Sequence, residues 1–134
     1  MADWNSSSLG GGKFEVGMGK GDHTYWTDLF TRPSAGTWHL VQLVFNRAGS
    51  INKAYVDGFL QTVTTGTHNA FSMGNFSNSS LYFMSRAANA PYAAGTLDEV
   101  RVSTMERTAN WVATEYNNQS SPGTFITMGS ESCY

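Results

Sequence analysis

Charge is scarce in this sequence. Asp, Glu, Lys and Arg make up 13% of its 134 residues, and the formal net charge is -2. A phosphate-backbone binder needs a dense basic surface, so eight Lys and Arg against ten Asp and Glu argue against a nucleic-acid partner. Long apolar runs are missing too. None approaches the roughly 18 residues that cross a bilayer, so no membrane span is expected. The N-terminus has no basic flank followed by an apolar core, so it carries no signal peptide pattern. Either the chain is cytoplasmic, or a leader has already been removed. Cysteine occurs once, at Cys133, which rules out an internal disulfide.

What is present is polar, small and aromatic. Gly, Ser, Thr and Asn supply about two residues in five, and Phe, Tyr and Trp another 13%. The first group favours turns and polar strands over helix. The second provides bulk for a core and excludes a disordered chain. A length of 134 residues suits one domain. The composition predicts an all-β fold of short strands and polar turns.

Residues 1–12 read as a flexible leader of serines and glycines, residues 13–129 as the domain, and 130–134 as a tail. Phe14, Val16 and Met18 alternate with small or charged neighbours, so 13–19 is a half-buried strand. A second strand spans 23–31, and Pro33 and Gly36 then break the pattern. Residues 37–46 carry bulky apolar side chains on both faces, as a central strand covered on both sides does. Strands at 53–56 and 59–64 flank Asp57-Gly58, which has the turn chemistry of a tight hairpin. Further strands are expected at 80–85, 96–103 and 124–128, with long loops at 65–80 and 86–95. Residues 108–117 break the β rhythm as one short helix with Thr108 as its N-cap, pinned by Val112 and Tyr116. Trp38, Phe45, Phe83 and Trp111 fall in strong strand or helix patterns and are assigned to the core.

Three phrases, in order, are similar to a known family. They are Gly36-Thr37-Trp38-His39-Leu40-Val41, Ala54-Tyr55-Val56-Asp57-Gly58, and Gly95-Thr96-Leu97-Asp98-Glu99-Val100-Arg101-Val102. They resemble the laminin G-like branch of the concanavalin A-like lectin/glucanase domains. The segment from Arg107-Thr108-Ala109-Asn110-Trp111 to Gln119 resembles the closing segment of bacterial extracellular members. The resemblance covers residues 36–129 and implies a jelly roll, a sandwich of two antiparallel sheets. Few residues precede Trp38, so it also implies an N-terminally short member with an exposed sheet edge. A second copy of the chain, the leader or loops would cover that edge.

Catalysis is not expected. Glucanases of this broad fold resemble one another in placing catalytic carboxylates on alternate residues of one strand. Asp98 and Glu99 are adjacent, so a strand sends them to opposite faces, and no pair suits glycosidic hydrolysis. Glu99 and Arg101 share a face and suit a structural ion pair. His23, His39 and His68 are dispersed and far from Cys133, which argues against zinc and leaves His39 as a hydrogen-bonded structural histidine. The expected cofactor is none, with calcium left open because Asp22 and Asp28 flank a turn and some laminin G-like domains hold it.

Recognition remains. Sugars are held by flat aromatic faces framed by amides and hydroxyls. Tyr25 and Trp26 are adjacent, so a strand turns one of them outward. Phe76, Asn89 and Tyr92 stand among small loop residues. These five are the expected ligand-binding residues. The first functional expectation is a non-catalytic carbohydrate-binding or recognition module of an extracellular protein. The alternatives are a structural or adhesion spacer that contacts a cell-surface protein, and a fragment related to glycoside hydrolases. A homo-oligomer through the exposed edge fits either of the first two.

Overall fold

A computed structural model describes residues 2–3, 12–19, 25–45, 52–68, 85–86, 89–92, 94–125 and 129. Among them are nine strands: β1 (Ala2–Asp3), β2 (Lys13–Gly19), β3 (Tyr25–Thr31), β4 (Val41–Phe45), β5 (Asn52–Val56), β6 (Phe59–Leu60), β7 (Thr64–His68), β8 (Ser85–Arg86) and β9 (Asn89–Tyr92). Two helices follow, α1 (Ala109–Ser120) and the single turn α2 (Pro122–Phe125). The strands form an antiparallel sheet of order β1-β2-β3-β7, a second of order β4-β5-β6, and a separate β8-β9 hairpin.

The alternation in β2 does what its period predicts. Phe14 and Phe30 are cross-strand partners, and their rings stack with centroids 5.0 Å apart. Phe14, Val16 and Phe30 from the first sheet and Ala54 from the second form one buried cluster. Val41, Leu43, Phe45 and Val56 of the second sheet pack against it. The two sheets therefore share a core. Burial of those apolar faces drives their association.

The opposite face of the second sheet carries Gln42 and Tyr55, which are cross-strand partners. Helix α1 covers it: Gln42 Nε2 donates to Glu115, and Tyr55 and Val112 are both buried. Thr108 caps α1 from an extended backbone, accepting a hydrogen bond from Trp111 N at 3.3 Å. Tyr116 is half-buried on the same helix.

Several expectations are corrected. The strand expected from residue 37 begins at Val41, and among the described strands β4 stands at the end of its sheet, with both its faces covered. The run 59–64 splits, because only Phe59 and Leu60 pair with β5. Residues 65–68, expected as loop, instead join Thr64 in β7 and pair with β3, where β-branched threonines suit an extended backbone. The expected loop 86–95 contains β9 and the second residue of β8, while Ser85, the last residue of the expected strand 80–85, opens that pairing.

Residues 96–103, expected as a strand, form none. Glu99 sits at φ 51°, a left-handed conformation that breaks an extended run. Residues 122–125 are a helical turn where the last strand was to begin, and 126–128 lie outside the described residues. So do 80–84, including Phe83.

Two of the tryptophans assigned to the core are exposed. Trp38 is 69% accessible, since it precedes the strand instead of lying in it. Trp111 is 39% accessible with the Arg107 guanidinium 4.7 Å above its ring, while its neighbour Val112 takes the buried position.

Candidate functional site: a hydroxyl, imidazole and carboxylate cluster at the rim

The best-connected polar cluster among the described residues grows out of the β5-β6 turn. Asp57 and Gly58 both have positive φ, 53° and 83°, the geometry of a type I′ hairpin turn. Gly58 is required twice over. A Cβ there would stand 3.2 Å from Ala113 Cα and 3.3 Å from Tyr116 Cβ, so α1 presses directly on the turn. The turn aims the Asp57 side chain back at the chain entering β4. Asp57 N donates to Leu40 O at 2.9 Å, and Asp57 Oδ1 accepts from Leu40 N at 3.0 Å.

The other carboxylate oxygen reaches the next residue back. Asp57 Oδ2 lies 2.7 Å from His39 Nδ1. A carboxylate can only accept, so Nδ1 carries a proton, and in the tautomer with that single proton Nε2 offers its lone pair. Facing Nε2 are Thr37 Oγ1 at 2.9 Å and Ser34 Oγ at 3.0 Å, which are themselves 3.3 Å apart. The His39 and Asp57 side chains are largely covered, and the two hydroxyls are exposed. Trp38 stands between Thr37 and His39 with most of its surface in solvent. The result is a row of ordered polar groups fixed to a sheet end, on a loop that also carries an exposed aromatic ring.

A second polar chain runs over α1. Arg101 Nη1 donates to Glu115 Oε1 at 2.6 Å, and Arg101 Nη2 donates to Glu99 Oε2 at 2.9 Å, the ion pair expected from their alternation. Glu99 first and then Glu115 hold the Arg101 guanidinium above its usual range. Likewise Glu106 raises the Lys53 ammonium. The Arg101 guanidinium bridges the two carboxylates, a structural arrangement.

The expected ligand-binding residues do not converge in one sheet. Tyr25 and Trp26 lie in β3, where their backbones oppose Gly19 and Met18. Asn89 and Tyr92 open and close β9, opposite Arg86 and Ser85. Phe76 lies outside the described residues, as does Asp22. Among the described residues no three His, Cys, Asp or Glu gather as a metal requires, and no helix is long and apolar enough to cross a membrane.

Sequence reasoning recognised His39 as hydrogen-bonded. It missed Trp38 as a surface ring and Asp57 as the partner of His39. The spacing Ser34, Thr37, His39 ahead of an Asp-Gly turn was the available signal.

Comparison with known proteins agrees with this architecture. No curated protein and no solved structure matches the chain. A family model does match, over residues 3–113, and that stretch holds both sheets, the β8-β9 hairpin, the rim cluster and the start of α1. The chain belongs to the concanavalin A-like lectin/glucanases superfamily.

Proposed function

We propose that this chain is a carbohydrate-binding module of an extracellular protein, built on a jelly-roll sandwich, that holds glycans without cleaving their glycosidic bonds. The observation that carries this reading is Trp38. A ring 69% exposed, on the same clasped loop as Ser34 and Thr37, has the make-up of a sugar platform. The hydroxyls are ordered before a ligand arrives, which lowers the entropy lost on binding. Membership of a superfamily named for lectins supports the same reading.

A glycan array probed with the wild-type chain and Trp38→Ala tests it. The variant should keep its circular dichroism and lose at least tenfold in affinity, about 1.4 kcal/mol. Equal binding by the two would move the platform elsewhere, and Tyr25, Trp26 and Tyr92 are the next rings to replace. Repeating the array with a chelator decides whether calcium takes part.

A second reading, contact with another protein, has its own observation. Leu97, Val100, Val102 and Met105 are all exposed within one short stretch. Clustered surface apolar residues mark contact sites more often than scattered ones do.

A further inference from the structure

Sugar stacking makes no use of the Nε2 lone pair of His39, yet that atom has the most organised surroundings in the cluster. Asp57 is oriented by the Leu40 amide at 3.0 Å and in turn orients the imidazole at 2.7 Å. The imidazole presents its basic nitrogen to Ser34 Oγ at 3.0 Å. A hydroxyl within reach of a base, with that base held by a third group, is the arrangement that activates an alcohol as a nucleophile. Nε2 has one lone pair and two hydroxyls facing it. Either hydroxyl can donate to it while the other donates to its neighbour across 3.3 Å. Ser34 is the less hindered of the two, a primary alcohol on an exposed turn, whereas Thr37 is branched at Cβ.

We infer that Ser34, His39 and Asp57 act as nucleophile, general base and orienting carboxylate towards small, unhindered carboxylic esters. Ser34 Oγ attacks the ester carbonyl carbon and its proton passes to His39 Nε2. The tetrahedral adduct expels the alcohol, which leaves with that proton, and Ser34 is acylated. Water then attacks the acyl carbon, giving a proton to Nε2. Collapse releases the carboxylic acid, and the proton returns to Ser34. The site lies on an open rim, which favours a short acyl group such as acetyl over a long chain. This inference does not depend on sugar binding at Trp38.

A fluorophosphonate probe on the full chain tests it, because Ser34 Oγ would displace fluoride at phosphorus with the proton again going to Nε2. Peptide mapping should place one adduct on Ser34, and hydrolysis of p-nitrophenyl acetate should show an initial burst. Ser34→Ala should lose the adduct. Asp57→Asn separates catalysis from structure. An amide has one acceptor oxygen, which the Leu40 amide still claims, so its NH2 donates to Nδ1 and forces the ring proton onto Nε2. Asn followed by Gly preserves the turn. That variant should keep its melting temperature and label at least about tenfold more slowly. An unlabelled wild type would overturn the assignment and leave the cluster a structural clasp. Labelling of Asp57→Asn and His39→Gln at the wild-type rate would do the same. An adduct on Thr37 would overturn the choice of nucleophile.

Discussion

Residues 52–60 and 96–103 are both short runs that mix apolar and polar side chains and are expected to be extended, and each contains an acidic residue at positive φ. In the first, Asp57 opens a two-residue turn, so the chain folds back and β6 pairs with β5 at once. Sheet packing on one side and α1 on the other bury Ala54 and Tyr55. In the second, Glu99 takes the left-handed conformation with no glycine after it, and its amide is satisfied locally by Asp98 Oδ1 at 2.8 Å. Among the described residues no strand pairs with it, and Val102 remains 85% exposed. Alternation qualifies a segment for a sheet. A partner in reach makes it a strand.

Substitutions sharpen that contrast. The largest effect is expected where both sheets meet. Phe30→Ala removes a ring that is 1% exposed and stacked on Phe14, and should cost about 3–5 kcal/mol in urea unfolding. Gly58→Ala comes next. The left-handed backbone and the contact with Ala113 together should cost about 1–3 kcal/mol, read as a lower midpoint. The smallest effect belongs to the other stretch. Val102→Ser should change stability by no more than about 0.5 kcal/mol, and a larger loss would mean that 96–103 is paired in solution.

That ordering follows how much of the molecule could be read from its residues. The Phe14 and Val16 alternation, the Asp57-Gly58 turn and the Thr108 cap are local signals, and each appears where its chemistry puts it. Tertiary partners are not local. Thr64 to His68 became a strand because β3 had an edge to offer, and no composition rule distinguishes that segment from a polar loop. Trp38 read as core because its neighbours look like strand, yet the ladder begins three residues later, at Val41. The rim cluster was half legible. His39 announced a hydrogen bond, but pairing it with Asp57 requires the hairpin to fold back 18 positions along the chain.

The central claim is that recognition belongs to the clasped rim and not to the exposed stretch 96–103. Amide and indole chemical-shift mapping during titration with a glycan from the array tests it most directly. Shifts confined to residues 34–40, the Trp38 indole and the Asp57 turn are the predicted result. Shifts centred on 96–103, with residues 34–40 unmoved, would contradict it.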